Sequence, residues 1–177
     1  KSNELKDVYI IDYEYLISYT GYEAWNDTKK WLTVKLPITA TGQMSLANEW
    51  IRYIIPAIGL TKKCIVCDLD NTLWGGIVGE DGIDALSIGY EYPGYAYRQF
   101  QLSLLNLYKN GIILAICSKN NYEDAIKVFK DRSEMILKEE HFASIYINWD
   151  NKANNIKKIA HELNIGIDSI VFVDDNP

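Results

Sequence analysis

Cysteine is scarce in this chain and histidine scarcer, at three and two of 177 residues. A small, odd cysteine count supplies no disulfide framework and fits a reducing compartment. Cys64 and Cys67 form a C-x-x-C pair, but they lie inside a strand pattern and not at a helix start, so they read as core and not as a redox centre. Neither His141 nor His161 stands at a metal-ligand spacing, and both read as surface residues. Long apolar runs are missing too. The best are about six residues, against roughly 20 for a membrane span, and no secretory leader is visible. Basic residues are outnumbered, 18 Lys and Arg against 24 Asp and Glu, for a net charge of -6 and a pI near 4.9. That balance argues against a nucleic acid or an anionic membrane held by general electrostatics, and it leaves any phosphate to a local site. The expectation is a cytoplasmic protein with no nucleic-acid and no membrane partner. A hydrophobic content of 48% is enough for a sizeable core, and the length suits one domain, or one domain with a piece of another.

From Leu60 onward, apolar runs alternate with helical patterns, the sequence form of a parallel sheet with crossover helices. Strands are expected at 64–69, 112–117, 144–147 and 169–173. Helices are expected at 97–108, from Asn121 onward, and at 152–163, each with one apolar face. The fold class is therefore α/β, a Rossmann-like parallel sheet with flanking helices. Right-handed crossovers would put every strand C-terminus on one edge, where open α/β sheets bind ligands. The first 60 residues differ. A strand is expected at 8–11, a second one at 31–36, and a helix at 44–55 ending at Pro56. No catalytic signature lies in this part.

The residues that carry chemistry stand at the expected strand ends. Asp68-Leu69-Asp70-Asn71-Thr72-Leu73-Trp74-Gly75-Gly76 follows the first apolar run, with two carboxylates one residue apart. A lone Asp-x-Asp is also common in surface turns, so the remaining strand ends decide. The second carries Ser118, Lys119 and Asn120, Lys152 opens the helix after the third, and the fourth ends in Asp174-Asp175-Asn176-Pro177. A carboxylate that attacks phosphorus repels the phosphate unless a divalent cation and a lysine offset the charge, and Mg²⁺ favours such oxygen donors.

In that order, these residues resemble the four motifs of the haloacid dehalogenase (HAD) superfamily of phosphatases and phosphotransferases. A response-regulator receiver also combines acids, a hydroxyl and a lysine, but its phosphorylated Asp follows strand 3 and its lysine strand 5. The order in this chain differs. Val78-Gly79-Glu80-Asp81-Gly82, Ile147-Asn148-Trp149 and Val173-Asp174-Asp175-Asn176-Pro177 extend the likeness to the FkbH-like family over about residues 60–177. The resemblance implies a HAD-like catalytic domain at 61–177, shortened at its C-terminus and with no large cap. Residues 1–60 would then be the tail of an N-terminal, esterase-like domain and a linker.

Carried over by position, Asp68 would be the nucleophile and Asp70 the general acid and base, with Lys152 offsetting charge. Thr72, Ser118, Lys119 and Asn120 would contact the substrate. Mg²⁺ would be held by Asp68, Asp70 and Asp175, with Asp174 the second choice. The substrate would be a phosphorylated small molecule. Family members in polyketide pathways transfer a glyceryl unit from 1,3-bisphosphoglycerate to an acyl carrier protein through a cysteine thioester. Cys117 is the best-placed thiol for such a step, and also reads as a buried strand cysteine. Tyr90, Tyr92, Tyr95 and Tyr97 read either as the rim of an open site or as packing. A different class of function, a non-catalytic interaction module of a larger biosynthetic protein, would leave the same motifs without turnover.

Overall fold

The computed structural model describes residues 8–176. The chain forms two compact units that divide between Thr61 and Lys62.

The first unit is helical: α1 (Tyr13–Thr20), α2 (Tyr22–Trp25), α3 (Thr28–Val34) and α4 (Ala40–Ala57). Its starts are set by side-chain caps. Asp12 accepts from Tyr15 N at 2.8 Å, Asp27 from Lys30 N at 2.9 Å and Thr39 from Gly42 N at 3.0 Å. Leu16 and Trp25 form its small core. Gly42 sits against the Trp25 ring and Ile38, where a Cβ would come within 2.7 Å of Ile38. The two strands expected here are corrected. Residues 8–11 pair with no strand among the described residues and run into the Asp12 cap, and 31–34 of the second lie on α3, which the Asp27 cap starts just before them and which Lys35 caps at its end. The helix α4 begins four residues earlier than expected and runs through Pro56 to Ala57. Pro56 has no N–H to give the carbonyl one turn back, and the helix ends one residue later.

The second unit holds four parallel strands, β1 (Cys64–Cys67), β2 (Ile113–Ser118), β3 (Phe142–Ile147) and β4 (Ile170–Val173), in the order β3-β2-β1-β4. Helices α5 (Val78–Asp81), α6 (Gly94–Lys109), α7 (Tyr122–Asp131) and α8 (Lys152–Glu162) connect them. This is the expected α/β, Rossmann-like sheet. Apolar residues on both faces of β1 and β2 explain why these strands sit in the middle. Cys64, Val66, Ala115 and Cys117 face α8, where they pack with Ile159. Cys67, Leu69, Leu114 and Ile116 face the opposite side, with Leu104 of α6 and Val128 and Phe129 of α7. The strand β1 stops two residues before the expected 69. Asp68 N still bonds Val173 O at 2.9 Å, but the N–H of Leu69 donates to the Asp68 carboxylate at 2.8 Å, so the chain leaves the ladder there.

Two polar devices fix the connection from β1 to α6. Gln101, fully buried in α6, donates to Leu73 O at 2.7 Å and accepts from Ile136 N and Leu137 N at 2.9 and 3.1 Å. Arg132, just past α7, donates to the carbonyls of Ile83, Leu86 and Ile88 at 2.7, 3.1 and 3.1 Å. The chain departs from β1 toward β2 on one side and returns as β4 on the other. That reversal makes a crevice outside the carboxyl ends of β1 and β4.

Candidate active site

Strand alternation places the first acid. Asp68 has the parity of Cys64 and Val66, so it leaves β1 toward the α8 face, and Asp174 follows Phe172 on the neighbouring strand with the same parity. Lys152 is the first residue of α8, whose start is fixed by the Asn151 side chain accepting from Ala153 N at 2.9 Å and Asn154 N at 3.4 Å. Its ammonium lies between the two acids, 2.6 Å from Asp68 Oδ2 and 2.7 Å from Asp174 Oδ2. Asp68, Asp174 and Asp175 each offer a carboxylate oxygen within 4.8 Å of the others, a spacing at which they could hold a metal ion. These donors are all hard oxygens, the kind that suits a small divalent cation.

Burial raises the Asp68 carboxyl above its ordinary 3.8, and the hydrogen bonds from Lys152, Ser118 and Leu69 N offset only part of that. Burial also pushes Asp174 upward, but the Lys152 ammonium and the N–H of Asn176 outweigh it and hold this carboxyl below 3.8. Lys152 loses some basicity to burial and gains more from the two carboxylates, ending above 10.5. One ammonium therefore serves two acids shifted in opposite directions.

Asp70 belongs to a second group of contacts. Its Oδ1 accepts from Trp74 Nε1 at 2.9 Å and Val78 N at 3.2 Å, and its Oδ2 from Asn120 Nδ2 at 3.0 Å. Asn120 also donates to Ser118 Oγ at 3.2 Å, which links the ends of β1 and β2. Ser118 and Thr72 are buried, and Thr72 Oγ1 has no hydrogen-bond partner among the described residues. Lys119 is exposed and makes no ion pair among the described residues. The expected site residues thus gather at one sheet edge, in two linked groups.

Sequence reasoning overlooked two supports. Trp74 reaches back to Asp70 from four residues downstream. Asn155, buried in α8, donates to Asn148 Oδ1 at 2.8 Å, and Asn148 also accepts from Asp150 N at 2.9 Å, which ties down the loop that delivers Lys152. The usable signal was the polar-capable Trp74 inside an apolar stretch; the asparagines at 148–155 gave none. The loop after Asp70 is closed by paired bonds between Gly75 and Ser87, at 3.0 and 2.8 Å, with α5 and a 3₁₀ turn at Ile83–Ala85 between them. Among the described residues no separate domain interrupts β1 and β2. Tyr90, Tyr92 and Tyr95 are exposed, whereas Tyr97 packs over Gly75. His161 is exposed, and His141 is half-buried with its Nδ1 accepting from Lys138 N at 2.9 Å.

No family model matches the sequence, and no curated protein matches it. Among solved structures, the chain is similar to the N-terminal part of the protein BF1531 from Bacteroides fragilis, containing a phosphatase domain and complexed with Mg. The likeness has a TM-score of 0.79 and 39% identity, over 92% of this chain and 43% of that one. The chain therefore spans less than half the length of that structure.

Proposed function

We propose that this chain carries a Mg²⁺-dependent phosphatase or phosphotransferase of HAD type that works through an aspartyl-phosphate. The observation that carries the reading is Asp68: buried at the β1/β4 switch point, paired with Lys152, and clustered with Asp174 and Asp175. The Mg bound by the structural neighbour supports the cation. Asp68, Asp174 and Asp175 would hold it, with the backbone of Asp70 as a further donor. When bound it supplies charge stabilisation for the transferring phosphoryl group. On this reading 61–177 is the catalytic domain and 1–60 the tail of a preceding one. The protein is cytoplasmic and its substrate a phosphorylated small molecule. No described helix is long and apolar enough to cross a membrane.

The chain's own residues divide the work. Asp68 attacks phosphorus while Asp70 gives a proton to the departing oxygen, so the substrate leaves as an alcohol. Lys152 offsets negative charge on Asp68 and the phosphoryl oxygens. Ser118 and Thr72 offer hydroxyls to those oxygens, and the unpartnered Thr72 Oγ1 is consistent with that use. Asp70 then takes a proton from water as the water attacks phosphorus, the Asp68–phosphorus bond breaks, and phosphate leaves.

The FkbH-like resemblance adds the finer reading of glyceryl transfer to an acyl carrier protein. A relay through this chain requires a reactive thiol, and the geometry favours hydrolysis instead. Cys64, Cys67 and Cys117 have no solvent exposure. Burial pushes their thiols up to about 11, 12 and 11. Cys117 also donates to Lys152 O at 3.7 Å. The complete acid–lysine set stands against a non-catalytic module. The test is turnover of p-nitrophenyl phosphate by the intact protein: activity with Mg²⁺, none with EDTA, and at least a 10²-fold loss in Asp68→Asn (of order 10² to 10⁴ for a group acting directly in the chemistry). Turnover that survives both treatments would remove the proposal.

A further inference from the structure

Trp74 has no solvent exposure, and a buried indole N–H needs an acceptor. Its acceptor is the carboxylate of Asp70. The torsion that sets a carboxyl plane is broad and twofold, so backbone position alone does not aim the oxygens of an aspartate. Contacts must do so. Here three donors arrive from three segments: the indole of Trp74, the backbone N–H of Val78 and the carboxamide of Asn120. Each donor is itself held. The Trp74 ring meets Phe129 edge-on at 5.8 Å between centroids. The Val78 N–H is presented by a loop in which Asn71 Oδ1 accepts from Gly76 N and Asp81 Oδ2 from Ile77 N, both at 2.8 Å. Asn120 is buried and anchored on Ser118.

We propose that Trp74 and Asn120 are positioning residues that fix the carboxyl of Asp70 for proton transfer. The proposal rests on the acid–base role given to Asp70 above. A carboxylate has about four acceptor positions. Trp74 and Val78 fill both on Oδ1, Asn120 takes one on Oδ2, and a single position on Oδ2 stays open. That position carries the proton: it leaves Oδ2 for the departing oxygen as the phosphorus–oxygen bond of the substrate breaks, and returns to Oδ2 from the attacking water. Asn120, with its amide spent on Asp70 and Ser118, acts on the acid and not on the phosphate.

The experiment compares two aryl phosphates on the intact protein with Mg²⁺. p-Nitrophenolate departs without needing a proton, whereas the phenolate of phenyl phosphate is helped by one. Trp74→Phe keeps the buried ring and removes the N–H. It is expected to lower kcat/KM, which reports the step that expels the aryl group, about tenfold more for phenyl phosphate than for p-nitrophenyl phosphate, within the range of acid–base effects. Asn120→Ala, at the polar edge of the core, gives the same pattern and serves if the tryptophan variant does not fold. Independently of turnover, the Trp74 indole proton, assigned by its loss in Trp74→Phe, exchanges slowly in the wild type and at least tenfold faster in Asp70→Ala, since its acceptor is gone. Equal losses of kcat/KM on both substrates, or exchange unaffected by removal of Asp70, would overturn the proposal. A wild type that turns over neither substrate removes the reading beneath it, a result distinct from equal losses.

Discussion

At the scale of single residues, the nucleophile's role proposed for Asp68 comes at a cost in stability. Burial lifts its carboxyl above 3.8, so in the folded, cation-free protein its ionisation costs free energy at neutral pH. That cost is present above the folded value and disappears as the pH falls below 3.8, where the folded and unfolded forms are both protonated. Asp68→Asn is therefore expected to stabilise the cation-free protein at neutral pH by about 1 kcal/mol, with the gain gone in strongly acidic solution. Urea denaturation of both proteins at the two pH values checks this. Asp174 has the opposite sign. Held below 3.8 by Lys152, it adds stability above that value and loses it as pH falls through its folded value. An Asn variant there is expected to be less stable at neutral pH, which makes it the internal control.

At the scale of elements, the loop after β1 is held by hydrogen bonds as well as by the buried Leu73, Trp74, Val78, Leu86 and Ile88. Arg132 alone bonds three carbonyls between Ile83 and Ile88. Its replacement by Met keeps most of the stem and removes every donor. The loss should be about 2–3 kcal/mol, typical for bonds to a charged group, with amide exchange accelerated most at 83–88. Exchange that rises uniformly across the unit would contradict a local clamp. The elements also show what the sequence made legible. The runs at Cys64–Cys67 and Ile113–Ser118 are apolar on both faces, and only a central strand of a covered sheet asks for that. Local capping prevailed where apolar content misled. Trp31, Leu32 and Val34 look strand-like, yet Asp27 supplies a helix start whose bond to Lys30 N is worth about 1 kcal/mol. The gathering of Asp68, Lys152 and Asp174 was legible as far as strand C-termini share one edge, whereas the parity that turns both acids toward α8 came with the register. The Trp74–Asp70 and Asn148–Asn155 contacts were not legible, because they depend on how a loop folds back and no periodicity reports that.

At the scale of the whole molecule, the three clustered carboxylates belong to a chain that is itself acidic, with a net charge of -6. One bound dication would leave it negative. On the proposed reading, a phosphorylated substrate would then approach against a repulsive field whose reach is about 30 Å at 0.01 M salt and about 10 Å at 0.1 M. Encounter rates for like-charged partners rise with ionic strength. With the cation held at saturation, kcat/KM for p-nitrophenyl phosphate is expected to climb as sodium chloride is added over that range, the reverse of what a basic phosphate-gathering surface shows. On the proposed reading, a chain whose cation site is locally balanced by Lys152 would still be slowest to capture a phosphorylated substrate in dilute buffer, because its net charge is negative.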